Sequence, residues 1–362
     1  MTPVSSAASA AKRGRKPTPN SPAQPRLAYW TKHGRMVQGL AESALASPVL
    51  EKYKGKVQLI FTSPPYPLRT KKRYGNETGQ AYVDWLASLA PIFAGYLKPK
   101  GSIVIELGNA WEPGKPLMSV LGIEALLSFM RTGKLNLCEQ FVCENPARLP
   151  GPAQWVNIER IRVKDAFTHV WWMAPSERPK ANNRRVLKEY SKAMKALLKR
   201  QTYNVGGRPS EHQVSASGFL KKHKGAIPSN VLSFPNTVSN DSYLQFCRRK
   251  NIKPHPARMP SLLAEFFIKL LTSAGDVVLD PFAGSNTTGV AAERLGRKWI
   301  SIEPRAEYIR GSIGRFAPRS PKLRPLMRKV HPLPGKLEKP PPKNRSKTRP
   351  HKKEKRAPRR SR

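Results

Sequence analysis

Acidic side chains are scarce in this chain. Its 362 residues carry 23 Asp and Glu against 66 Lys and Arg, a formal net charge of +43, and so large an excess of one sign points to a polyanionic partner. Cysteine is scarcer still: Cys138, Cys143 and Cys247 are all there is, too few for a disulfide framework and not spaced as the paired CxxC of a structural zinc site. They read as free structural thiols, and no metal is expected. No run of about 18 apolar residues occurs, which argues against a membrane-spanning helix, and the N-terminus lacks the apolar stretch of a secretory signal. The expected location is cytoplasmic, with the nucleoid. Internal repeats at solenoid periods are also missing.

What is present is unevenly divided. Residues 1–28 hold five basic and no acidic side chains, while residues 317–362 hold eighteen basic, two acidic and ten of the 36 prolines. Both segments have few large apolar residues, so neither buries enough surface to offset the entropy of ordering. Both are expected to be disordered basic tails. All seven Trp lie between them, in a middle long enough for one sizeable core with an insertion.

Within that middle, residues 57–61 form a short apolar run closed by Thr62-Ser63-Pro64-Pro65-Tyr66-Pro67, where three prolines forbid both helix and ladder pairing. This reads as a buried strand ending in a stiff loop. Residues 82–97 carry Val83, Leu86, Leu89, Phe93 and Leu97 at helical spacing, ended by Pro99 and Gly101, and a strand follows at 102–107. A helix is expected at 117–130 and strands at 139–143 and 167–174. From Pro175 the pattern dissolves into Lys, Arg, Asn, Ser and Gly, with helical character only at 186–198. Order returns with an apolar helix at 260–272, a strand at 275–280, a small-residue turn, a helix at 287–295 and a strand at 298–302 closed by Glu303. Strands alternating with helices, their apolar runs buried on both faces, imply an α/β, doubly wound and mainly parallel sheet. The expected plan is a tail over 1–28, one half of the body over 29–175, an insertion over 176–254, the other half over 255–316, and a tail over 317–362.

In such a sheet ligands sit beyond the C-terminal ends of strands, near the topological switch point. One equipped strand end is Asp280-Pro281-Phe282-Ala283-Gly284-Ser285-Asn286, with Glu303 at the end of the next strand, where a carboxylate can accept hydrogen bonds from ribose hydroxyls. A phosphate-binding P-loop competes for this turn: Gly284 and Gly289 have its spacing, but Val290 and Ala291 stand where lysine and a hydroxyl are needed. The GxGxxG of a dinucleotide fold is absent, and a tight turn without a ligand is the bland alternative. The other strand end is Ser63-Pro64-Pro65-Tyr66. Adjacent prolines hold the carbonyls in fixed directions because both φ angles are locked. The Ser63 hydroxyl and Pro64 carbonyl make a rigid pair of acceptors beside the flat ring of Tyr66, which suits a planar base with an exocyclic amino group. Alone, it is also a plain proline-rich turn.

Taken together, the two segments resemble the β-group, permuted-order DNA amino-methyltransferases, and the set is similar to the PvuII-type enzymes that act on cytosine N4. The resemblance spans about 57–316 and includes Tyr82-Val83-Asp84-Trp85, Trp155-Val156-Asn157, Arg162-Val163-Lys164-Asp165-Ala166, His169-Val170-Trp171-Trp172, His255-Pro256-Ala257-Arg258 and Arg297-Lys298-Trp299-Ile300-Ser301. It implies an S-adenosylmethionine-dependent methyltransferase fold. In it, Asp280, Phe282 and Gly284 bound the cofactor pocket, Glu303 holds the ribose and Pro260 supplies a wall, while Ser63, Pro64, Pro65 and Tyr66 grip the target base. The common FxGxG form is departed from at Asn286, so that position either meets the methionine carboxylate or only shapes the turn.

The implied reaction is methyl transfer to the cytosine amino nitrogen in duplex DNA after the base swings out of the stack. Carbon-5 methylation needs an attacking thiolate, usually in a Pro-Cys pair, and Leu137, Val142 and Phe246 precede the three cysteines. Adenine-N6 transfer is the rival, since the related loop commonly has Asp where Ser63 stands. A DNA-binding protein on a decayed methyltransferase body is a further alternative, and Lys12-Arg13-Gly14-Arg15-Lys16-Pro17 resembles an AT-hook in support of it. Sequence readout is expected in 176–254, through Arg184, Arg185, Lys188, Lys221, Lys222, Arg248 and Arg249. Duplex DNA is the expected partner, and a restriction endonuclease of the same site is an implied one.

Overall fold

In the computed structural model, residues 24–66, 77–235 and 240–316 and the backbone of His331–Pro332 are described. The chain opens with a hairpin of β1 (Arg26–Trp30) and β2 (Gly34–Gln38), then two short helices, α1 (Ala41–Leu45) and α2 (Pro48–Glu51). Next come β3 (Val57–Thr62), α3 (Gln80–Tyr96), β4 (Leu97–Gly108), α4 (Leu121–Thr132), β5 (Asn136–Glu144) and β6 (Phe167–Ala174). After α5 (Lys192–Arg200), β7 (Val231–Ser233) and α6 (Ser242–Arg249) follow α7 (Ser261–Leu271), β8 (Val277–Asp280), α8 (Thr287–Arg294), β9 (Lys298–Glu303) and α9 (Ala306–Ser312). His331–Pro332 forms β10.

The strands make one ten-stranded sheet in the order β7-β5-β6-β4-β3-β8-β9-β2-β1-β10. Its centre, β4-β3-β8-β9-β2, is parallel throughout. Every residue of β3 is buried, as expected of a parallel strand covered on both faces. One layer packs α3 and α4 on the sheet, with Phe93 and Phe129 edge to face at 5.8 Å. The opposite layer packs α7 and α8, with Phe61 and Phe267 stacked at 5.6 Å. The β3-α3-β4 unit thus steps one way along one face, and β8-α8-β9 steps the other way along the other. β3 and β8 are neighbours, so the loops leaving them diverge and open a crevice between them.

The 167–174 strand has its expected bounds, and the others shift at their ends. Leu97 adopts an extended conformation (φ −73°, ψ 147°) and starts β4, so α3 stops there and Pro99 lies inside the strand. Helix α5 starts at Lys192 rather than 186, because the Ser191 side chain caps it by accepting from Met194 N at 3.1 Å. The first tail is also shorter than expected. Arg26 to Ala28 belong to β1, where Leu27 pairs with Val37 and Ala28 is buried; an apolar alternation of only a few residues suffices once β2 offers a partner. Of the C-terminal tail, His331–Pro332 pairs with β1, and the remaining tail expectations lie outside the described residues.

Segment 176–254 does not fold as one body. Its first part is tied to the lower end of the sheet: Asn182 N donates to Leu270 O at 2.8 Å, and Lys180 meets Asp276 at 2.6 Å. A lobe containing α5 then hangs from a bridge in which Lys188 and Ala226 exchange backbone hydrogen bonds at 2.9 Å. β7 rejoins the main sheet beside β5. Helix α6 packs on the turn of residues 313–316, where a Cβ on Gly314 would fall 2.4 Å from Phe246. Burial of Tyr243 and Cys247 thus attaches the last part of the insertion to the C-terminal half.

Candidate active site

Thr62 and Asp280 end the two neighbouring strands at the crevice. The Thr62 hydroxyl donates to Asp280 Oδ1 at 2.7 Å, with both groups buried. Beyond them, segments 63–66 and 280–284 line a single cleft of about 480 Å³, together with Pro260 and Glu303. The two segments that the sequence keeps more than two hundred positions apart therefore meet.

On the glycine side, Gly284 has a left-handed φ of +49°, and a Cβ there would stand 3.0 Å from His255 Nε2. Its amide donates to Glu303 Oε2 at 3.0 Å, while Arg305 N donates to Oε1 at 2.9 Å. Phe282 N donates to Asp280 Oδ1 at 3.1 Å. Burial pushes the Asp280 carboxyl up to about 6, against the lowering effect of its hydrogen bonds. Phe282 is half-buried and meets Trp85 at 5.6 Å. Burial also lowers His255 to about 4, so its imidazole is neutral at physiological pH.

Asn286 resolves its two readings. It is fully buried with φ +59°, and its Oδ1 accepts from Gly289 N at 3.1 Å and from Ser301 Oγ at 2.7 Å. Its Nδ2 donates to Tyr29 Oη at 2.9 Å. All three contacts face the protein interior, and Asn286 does not line the cleft: it shapes the turn. Arg315 clamps the same turn from the other side, donating to Ser285 O at 2.6 Å and Ser285 Oγ at 2.7 Å.

On the proline side, Pro64 is buried, and Ser63, Pro65 and Tyr66 are half-buried. The Tyr66 hydroxyl donates to both carboxylate oxygens of Glu106 at 3.1 Å. Its ring lies so close over Gly108 that a Cβ there would fall 2.4 Å from Cε2. Burial, then the negative charge of Glu106, push the Tyr66 phenol well above its ordinary value, while its hydrogen bond with the Ser63 hydroxyl works the other way. Tyr66 thus stays protonated, linking Ser63 to a buried carboxylate. Cys143 also lines the cleft, but burial pushes its thiol up to about 12, so no thiolate is available there for covalent attack.

Glu106, His255 and Arg315 are site residues that the sequence does not single out. Glu106 sits in an apolar strand, where a lone carboxylate at a strand's C-terminal end is the signal that marks it. His255 belongs to a motif that assigns it no role, and Arg315 is revealed only through contacts with residues distant in sequence.

The basic residues singled out in 176–254 are not brought together at the cleft. Arg184, Lys188, Lys221 and Lys222 are exposed. The Arg185 guanidinium donates to Thr272 O, at the end of the sheet opposite the cleft. Arg248 and Arg249 close the last turn of α6, where Arg248 donates to Asn240 Oδ1. Among the described residues no cluster of side chains suits a metal ion, and no helix is long and apolar enough to cross a membrane.

The donor set fits a ligand with a cationic end and sugar hydroxyls: two carboxylates at successive strand ends, an aromatic ring, and a glycine turn with no side chain to obstruct approach. A family model described as DNA methylase matches residues 57–314. The chain belongs to the DNA methylase family. It is similar to the type II methyltransferase M.PvuII of Proteus hauseri, 43% identical over 291 residues that cover 80% of this chain and 85% of the relative. It also resembles the type II methyltransferase M.BglI of Bacillus subtilis, 25% identical over 294 residues covering 70% and 78%. A solved structure, PvuII DNA methyltransferase (cytosine-N4-specific), matches with a TM-score of 0.65 and 36% identity over 84% of this chain and 95% of that one. The mainly parallel sheet with flanking helices is therefore that of the methyltransferase fold.

Proposed function

We propose that this DNA methylase transfers a methyl group from S-adenosylmethionine to the N4 amino group of cytosine at a specific site in duplex DNA. The observation that carries the reading is the meeting of the Ser63-Pro64-Pro65-Tyr66 loop and the Asp280–Gly284 turn in one cleft. S-adenosylmethionine supplies an electrophilic methyl group on a sulfonium. Asp280, ionised above about pH 6, accepts a cationic end, Glu303 accepts ribose hydroxyls, and Phe282, Gly284 and Pro260 form the walls. The target nitrogen is a poor nucleophile because its lone pair is delocalised into the ring. Ser63 Oγ and the Pro64 carbonyl accept its two hydrogens and favour a pyramidal nitrogen, an effect of placement and electrostatics. The Ser63 hydroxyl leans on Tyr66 and Tyr66 on Glu106, so this line of hydrogen bonds polarises the serine oxygen towards the proton that the nitrogen sheds.

The target atom is paired within the duplex, so the base leaves the stack at a cost of a few kcal/mol, and Pro65 and Tyr66 receive it. Exposed cations of 176–254, including Arg184, Lys188, Lys221 and Lys222, contact phosphates, and a restriction endonuclease reading the same site is the natural counterpart in the cytoplasm. Incubating the protein with duplex DNA and methyl-labelled S-adenosylmethionine, then digesting to nucleosides, tests the reading. Labelled N4-methylcytosine is expected. Labelled N6-methyladenine would move the target to adenine, and no transfer at low salt would leave a DNA-binding protein only.

A further inference from the structure

Four large apolar side chains stand in water on the loop between β5 and β6. Leu149 is 83% exposed, Val163 87%, Ile158 69% and Ile161 58%. Isolated exposed leucines need no explanation, but several on one loop beside a functional cleft do. This loop begins at the cleft: Asn145 and Arg148 line it, and Leu149 is the next residue.

The loop is also firmly held. Asn145 N donates to Ala166 O at 2.8 Å, Arg148 meets Asp165 at 3.2 Å, and Asp165 accepts from Asn109 Nδ2 at 2.8 Å. Asp165 N donates in turn to Gly151 O at 3.1 Å, just beyond Leu149. Leu149 is therefore presented to solvent on a pinned base. Arg160 and Lys164 are exposed on the same loop, which gives the apolar positions cationic neighbours.

We propose that Leu149 is a wedge that enters the base stack of duplex DNA and fills the space left by the departing target nucleotide, while Arg160 and Lys164 hold the flanking phosphates. This rests on the function proposed above and adds a positioning residue to it. An apolar side chain between base steps is a known means of unstacking a duplex, and a base removed from its helix leaves apolar faces that water covers poorly. The loop's basic neighbours favour a polyanion over a second apolar protein surface. Leu149 touches no reacting atom. Its effect falls on the population of everted base, so it disappears where the base is already loose.

The test compares single-turnover methyl transfer by wild type, Leu149→Ala and Leu149→Met on two duplexes that differ only in whether the target cytosine is paired or mismatched. Leu149→Ala should transfer at least about tenfold more slowly to the paired duplex and come within about threefold of wild type on the mismatched one, where unstacking costs least. Leu149→Met, which keeps the apolar volume, should stay near wild type on both. Equal loss on both duplexes, or no loss on the paired one, overturns the wedge. Sedimentation without DNA supplies a second arm: a change in oligomeric mass on Leu149→Ala would make the patch a contact between copies and also overturn it. Failure of the parent function shows separately, as absence of N4-methylcytosine with wild-type protein, and rejects both readings.

Discussion

The cleft and the lobe that holds α5 are built on opposite terms. Around the cleft, polar groups are buried and tied across the chain: Thr62 to Asp280, Gly284 to Glu303, Asn286 to Tyr29, Arg315 to Ser285. In the lobe no residue of α5 is buried, the charged side chains are mostly basic, and the join to the body is the Lys188–Ala226 bridge. Where chemistry needs atoms held in place, the protein spends its interior. The lobe instead offers exposed charge on a lightly tethered piece, which suits the phosphate contacts proposed for it. A substitution in the first region should therefore alter chemistry or folding, and one in the second should alter neither.

The sharpest test of that contrast is Ser63→Ala. It should slow methyl transfer by at least about a hundredfold while leaving S-adenosylmethionine affinity within about twofold, read by single-turnover labelling and by titration calorimetry. Unchanged turnover would remove the serine from the chemistry. Asn286→Ala should cost about 2–4 kcal/mol of stability, since it strands buried partners on three sides; urea denaturation reads this. A cost below about 0.5 kcal/mol would place the turn among the tolerant regions. Glu106→Gln keeps an acceptor for Tyr66 but removes its charge, and should slow transfer about tenfold with little change in unfolding temperature.

Acidity probes the same region. The folded Asp280 carboxyl, raised to about 6 from 3.8, stays protonated between those values while its unfolded counterpart does not. Its contribution to stability is therefore greatest at low pH and is lost as pH rises through about 6. Affinity for a cationic donor moves oppositely, because only the ionised carboxylate attracts it. Calorimetry should show binding about tenfold weaker at pH 5 than at pH 7.5; a flat profile would detach Asp280 from the donor. The smallest structural effect belongs to the lobe. Lys221→Ala with Lys222→Ala should shift stability by less than about 0.5 kcal/mol and reduce the salt slope of DNA binding by about 0.9 for each phosphate no longer neutralised.

The same contrast decides what can be read from sequence. The two strand ends are legible because buried parallel strands are continuous apolar runs, and because prolines and a glycine mark where such runs stop; residues 167–174, antiparallel to both neighbours, are legible from their aromatic and β-branched content. That the two ends share a cleft follows from the alternation of strands and helices. The role of Asn286 is not legible, since its partners lie 257 and 15 residues away and no local pattern brings Tyr29 or Ser301 to it. Glu106 is hidden for a related reason: its neighbours in sequence are apolar, and only the return of Tyr66 across 40 residues shows what it faces. In 176–254 the composition speaks of charge correctly, but the division into strut, lobe, edge strand and docked helix comes from packing. Charge alone does not show that the exposed Arg185 donates to Thr272 O, at the lower end of the sheet.

The bridge between Lys188 and Ala226 brings the chain back beside the point where it left. An excursion whose two ends coincide can be shortened, lengthened or exchanged for another without any strand of the sheet moving, because closing a loop of twice the length costs only about 0.6 kcal/mol more. Changes in the size of this appendage are therefore absorbed at its base, and the cleft at the far end of the sheet keeps its geometry.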